Sequence, residues 1–99
     1  MTDEAMSEPP SVFHLTAHFS GRVQGVGFRY TVYQVAKEFE VSGYVQNLSD
    51  GRVRMEAEGE RAEVESFLEA ICDRMDGMIR EVEEVKQTRT AFFSGFSIR

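Results

Sequence analysis

The sequence predicts an α+β sandwich of split β-α-β pattern, with two helices packed on one face of an antiparallel sheet. Three observations carry that prediction. Phe13, Leu15, Ala17 and Phe19 alternate with polar residues, a period of two that marks a strand with one buried face. Apolar residues fall at helical spacing from Phe28 to Phe39 and again from Val64 to Met75. Between those runs, Val53, Met55 and Ala57 return to a period of two.

The first strand places His14, Thr16 and His18 on the face away from its apolar residues, and solvent is expected there. A glycine-rich segment, Gly21 to Arg29, follows it. The first helix then carries Phe28, Val32, Val35, Ala36 and Phe39 on one side and Lys37, Glu38 and Glu40 off it, with Gly43 as its stop signal. Tyr44-Val45-Gln46-Asn47 reads as a second strand, and Ser49-Asp50-Gly51 supplies turn chemistry. The third strand ends at Gly59. The second helix has the clearest apolar stripe, and Gly77 stops it. Ile79, Val82 and Val85 are spaced irregularly for a strand, which suggests a bulged edge strand. Phe96 and Ile98 alternate in a short final strand.

This order is the ferredoxin-like arrangement: a four-stranded antiparallel sheet, plus a short C-terminal strand, with two helices on one face. In it the first and second strands run parallel on either side of the third. Their C-terminal ends share one edge of the sheet, so Asn47 should stand beside the glycine-rich loop.

Ninety-nine residues suit one small domain, and eight phenylalanines supply bulk for its core. Residues 1–11 are acidic with Pro9-Pro10 near their end, and read as a mobile tail before a folded domain at 12–99. The net charge of -6 argues against a nucleic-acid or anionic-membrane partner. No basic, apolar leader and no span-length apolar run is present in this sequence. The single cysteine, Cys72, excludes an internal disulfide and sits on the apolar stripe of a helix, where a core role is expected. A cytoplasmic monomer is the expectation, with no metal and no cofactor.

The segment Gly21-Arg22-Val23-Gln24-Gly25-Val26-Gly27-Phe28-Arg29 carries the chemistry. Glycine permits the backbone conformations that let successive N–H groups converge on an anion. A helix starting there adds unpaired N–H groups and the positive end of its dipole. Arg29 adds a permanent, planar cation. No Gly-Lys-Ser/Thr follows, so this is not a Walker loop, and the chain does not continue as a dinucleotide-binding unit. A plain packing turn is the bland alternative.

As a whole, that segment resembles the signature of the acylphosphatase family. Gly43-Tyr44-Val45-Gln46-Asn47-Leu48-Ser49-Asp50-Gly51 resembles the family's second signature, and Phe96-Ser97-Ile98-Arg99 resembles its usual ending. The resemblance covers residues 13–99. Tyr44 departs from the tryptophan common there, and Asp76-Gly77 stands where Gly-Pro is frequent. The resemblance implies hydrolysis of a small-molecule acyl phosphate to a carboxylate and inorganic phosphate. It implies a phosphate cradle made by the backbone of Arg22, Val23, Gln24, Gly25, Val26 and Gly27, with Arg29 binding phosphate and Asn47 orienting water.

Other candidates carry less. His14 and His18 are separated by roughly 13 Å along a strand, too far for one metal. The run Glu56, Glu58, Glu60, Glu63, Glu65 and Glu69 reads as a solvated face, and the Arg22 side chain either tunes the site or meets solvent. A module that senses an anion without turnover is a competing class, although it has no need of Asn47. An RNA-binding module is disfavoured because the third strand lacks exposed aromatics. A related domain also heads larger carbamoyl-transfer maturation proteins.

Overall fold

The computed structural model describes residues 11–99. Its elements are β1 (Ser11–Gly21), α1 (Phe28–Ala36), β2 (Val41–Asn47), β3 (Val53–Gly59), α2 (Arg61–Arg74), β4 (Ile79–Thr90) and β5 (Phe96–Ile98). The tail expected over residues 1–11 lies outside the described residues except for Ser11, which opens β1.

The sheet has five strands in the order β4-β1-β3-β2-β5. β3 pairs antiparallel with both β1 and β2, so β1 and β2 run parallel on either side of it. β5 joins the outer edge of β2 in parallel, which makes the sheet mixed around the antiparallel core that the sequence predicts. Its pairing is extended at both ends, by Gly43 N–H to Gly95 O at 2.9 Å and Arg99 N–H to Val45 O at 2.8 Å.

Gly43 does not stop the first helix; it lies inside β2. An added Cβ there would stand 1.8 Å from the Glu56 carbonyl oxygen, so glycine is required by the close approach of β3. Instead, α1 ends at Ala36 and tightens into three-residue turns, with Lys37, Glu38 and Phe39 N–H groups donating to Gln34, Val35 and Ala36. β4 is the expected edge strand, with its pairing to β1 slipping between Ser20 and Gly21. Its apolar pattern is weak because an edge strand exposes most of its length.

The core lies between the sheet and the helices. Leu15, Ala17 and Phe19 of β1 and Val53, Met55 and Ala57 of β3 meet Val32 and Val35 of α1 and Phe67 and Ile71 of α2. The other sheet face differs from expectation. His14 is only 1% exposed, and Glu56 and Glu58 are buried with it. Residues 91–95 link β4 at one edge to β5 at the other and lie over this face. The Phe93 ring stacks on His14, with centroids 6.3 Å apart, and meets Tyr44 edge-on at 5.6 Å.

A buried carboxylate is tolerable only when hydrogen-bonded and paired. Glu58 Oε1 accepts the N–H groups of Phe92 and Phe93 at 2.9 and 3.0 Å. Its Oε2 accepts from Arg89 at 3.1 Å and lies 3.2 Å from His14 Nδ1. The Tyr44 hydroxyl donates to Glu56, and burial, followed by that contact, pushes the phenol up to about 12. The strand period assigned His14, Glu56 and Glu58 to the outer face correctly; the crossing segment is what removes them from solvent.

Candidate functional site

The glycine-rich loop begins where β1 leaves the sheet. Arg22 N–H donates to Met78 O at 2.8 Å. Among the described residues, no backbone carbonyl accepts from the N–H groups of residues 23–27. Gly25 and Gly27 take φ values of 77° and 76°, in the left-handed region. A Cβ at either would meet nothing within 4 Å, so conformation rather than space demands glycine. Gly27 is the N-cap of α1, and its carbonyl accepts from Thr31 N–H at 3.0 Å. The first turn holds no acidic residue and the cap makes no side-chain hydrogen bond. The positive end of the helix is therefore left uncompensated by the protein.

Gln24 ties this loop to the turn between β2 and β3. Its Nε2 donates to Leu48 O at 2.8 Å and to Arg52 O at 3.0 Å. The turn is held in its own right by Leu48 N–H to Arg52 O at 2.8 Å and by Arg52 N–H to Asp50 Oδ1 at 3.0 Å. Asn47, the last residue of β2, immediately precedes the turn. The loop at the end of β1 and the end of β2 are thus connected by a side chain as well as by the strand order.

Arg29 lies in the first turn of α1 and is half-buried. Its Nη1 donates to the main-chain oxygen of Arg99 at 2.8 Å, which fixes the guanidinium from the end of β5, the strand packed beside α1. Asn47 Oδ1 is buried without a hydrogen-bond partner, an unusual condition for a buried acceptor. A cavity of about 220 Å³ brings these parts together: Val23, Gly25 and Gly27 of the loop line it with Arg29 and Asn47. Tyr30 and Ile98 line it too. Among the described residues, Arg29 is the one charged side chain in that lining.

The sequence expectation thus converges spatially on Arg29, Asn47 and the loop. Arg22 differs in that its N–H is already bonded to Met78, so five of the six expected loop residues keep N–H groups clear of backbone acceptors. The Gln24 side chain, the Arg99 main-chain oxygen and the Tyr30–Ile98 pair were not foreseen. Gln24 had a signal in the motif itself, because a polar side chain amid glycines has carbonyls within reach. His18 lies outside the cavity; burial, then Arg52 and Arg54, lower it from its ordinary value. Burial, then Glu84 and Asp73, push the Cys72 thiol up, in keeping with a packed residue. No described helix is long and apolar enough to cross a membrane.

Comparison with known proteins follows the same lines. The sequence pattern of the family described as acylphosphatase matches residues 15–98. An acylphosphatase from Archaeoglobus fulgidus is 51% identical over 84 residues, covering 85% of this chain and 94% of the relative. The crystal structure of acylphosphatase from Bacillus subtilis superposes with a TM-score of 0.81 at 33% identity, over 88% of this chain and 98% of that one. The structure of HypF from T. kodakarensis is 30% identical with a TM-score of 0.73, covering 91% of this chain but 12% of that protein.

Proposed function

The chain belongs to the acylphosphatase family and hydrolyses acyl phosphates to a carboxylate and inorganic phosphate, and from that premise we propose how its residues perform the reaction. The phosphoryl group is held by the N–H groups of Val23, Gln24, Gly25, Val26 and Gly27, by the N-terminus of α1 and by Arg29. Phosphoryl transfer needs positioning and charge neutralisation at the equatorial oxygens more than covalent help from the protein. Convergent N–H groups and a guanidinium supply both. Gln24 holds the loop in the required shape through the carbonyls of Leu48 and Arg52.

The observation that carries this reading is the buried, unpartnered Asn47 Oδ1 in the wall of the cavity that Arg29 also lines. An amide oxygen accepts a hydrogen bond and is not a base at neutral pH. It can orient a water by accepting one O–H. The water oxygen attacks phosphorus, the bond from phosphorus to the acyl oxygen breaks, and the carboxylate departs with that electron pair. The water's proton passes to a phosphate oxygen. A carboxylate is a good leaving group, so no strong general acid is required.

The same reading takes the protein to act as a cytoplasmic monomer and to bind no nucleic acid, the last of which the net charge of -6 favours. Turnover is expected to persist in the presence of a chelator. The test is Arg29→Gln assayed on benzoyl phosphate. It should lose turnover by about 10²- to 10³-fold while circular dichroism shows an intact fold. Wild-type turnover in the folded variant would remove Arg29 from the mechanism.

A further inference from the structure

Exposed apolar side chains scattered singly need no explanation, but convergence on one cavity does. Tyr30 is 61% exposed and Ile98 is 41% exposed, and both line the cavity that holds Arg29 and Asn47. They come from different elements, α1 and β5. Each is the sequence neighbour of one partner in the hydrogen bond between Arg29 and the Arg99 main-chain oxygen. That bond therefore sets the spacing of the two apolar residues as well as the aim of the guanidinium. The Tyr30 ring is also tilted against Tyr33, with centroids 6.4 Å apart.

We propose that Tyr30 and Ile98 form the acyl-group subsite and select substrates whose acyl group is uncharged and apolar, aromatic ones above all. This deepens the functional reading above and rests on phosphate occupying the loop. In-line displacement puts the departing acyl oxygen on the side of phosphorus opposite the water that Asn47 holds. The acyl group must then lie against another wall, and the exposed apolar surface of the lining is that of Tyr30 and Ile98. A planar ring gains most by lying against a tyrosine face. An acyl group bearing its own carboxylate gains nothing there. Arg29 is already engaged by phosphate, no other charged side chain among the described residues lines the cavity, and the protein is acidic overall.

The test compares kcat/KM for benzoyl phosphate, acetyl phosphate and 3-carboxypropanoyl phosphate, with inhibition by inorganic phosphate measured alongside. Wild-type protein should rank them in that order. Tyr30→Ala should lower the benzoyl-to-acetyl ratio by about tenfold. Its inhibition constant for inorganic phosphate should stay within about twofold, because the loop is untouched. Ile98→Thr, which keeps the branch at Cβ but is shorter and carries a hydroxyl, should shift the ratio the same way and serves if Tyr30→Ala does not fold. A ratio within about twofold of wild type, with phosphate inhibition intact, overturns the subsite alone. Absence of phosphate inhibition in wild-type protein overturns the phosphate reading and the subsite with it.

Discussion

Arg29 Nη1 donates a 2.8 Å hydrogen bond to the main-chain oxygen of Arg99, a residue 70 positions further along the chain. One edge of the guanidinium is thereby anchored by the end of β5, and its remaining N–H groups are held in a defined plane. Orientation of this kind is what a flexible ammonium cannot supply.

Arg29→Lys tests that point. It keeps the positive charge but cannot hold the Arg99 main-chain oxygen and fork a phosphate together. The expected result is a fall in kcat/KM of about 10²-fold, with the fold unchanged by circular dichroism. Activity close to wild type would mean that charge alone suffices.

Asn47→Ala removes the unpartnered acceptor and leaves the loop intact. The expected result is a kcat about 10²- to 10³-fold lower, with the inhibition constant for inorganic phosphate within about twofold of wild type. A large loss of phosphate affinity instead would assign Asn47 to the anion rather than to the water.

Gln24→Ala removes two hydrogen bonds that join the loop to the β2–β3 turn. Stability in urea should fall by about 1 kcal/mol, since both carbonyls can turn to water. The loop loses its tether, so kcat/KM should fall by about tenfold or more. An unchanged kcat/KM would show that the backbone holds its shape unaided.

Gly27→Ala asks whether conformation, not space, is the requirement. The φ of 76° costs an alanine about 1–2 kcal/mol, although its Cβ meets nothing within 4 Å. The variant should be destabilised by that amount in denaturant titration. A neutral effect would show that the cap relaxes to a negative φ.

Glu58 gives the fold a pH dependence. Burial pushes its carboxyl up, but the Phe93 and Phe92 N–H groups, then Arg89 and His14, draw it down further, leaving it below the ordinary 4.5. A depressed folded value means that this contribution is complete above about 4.5 and disappears as pH falls through the lower folded value. Glu58→Gln should flatten the loss of Tm in that acid window and cost about 2 kcal/mol at neutral pH. Parallel pH profiles for variant and wild type would refute this.

Much of the site could be read from the sequence because its parts are local. The positive φ at Gly25 and Gly27, the cap of α1 and the placement of Arg29 within the first turn all arise within a few residues of one another. The juxtaposition of that loop with Asn47 is not local, yet it followed from the split β-α-β order, which places β3 between β1 and β2. Helix ends and Gly43 were read less well. A glycine pressed against the Glu56 carbonyl and a glycine that ends a helix look alike in a sequence.

By itself, then, the sequence determined the alternation of β1 and β3, the two apolar helix faces, the anion-ready loop and the strand order that carries Asn47 to it. Only the tertiary structure decided that residues 91–95 cross the outer sheet face and bury His14 with Glu56 and Glu58. It alone decided that the Arg99 main-chain oxygen aims Arg29, that Gln24 reaches across to Leu48 and Arg52, and that Tyr30 and Ile98 meet at one cavity. The reason is physical. Period and turn chemistry report which way a residue faces on its own element. What covers that face, and which distant carbonyl completes a hydrogen bond there, depends on where the rest of the chain comes to lie.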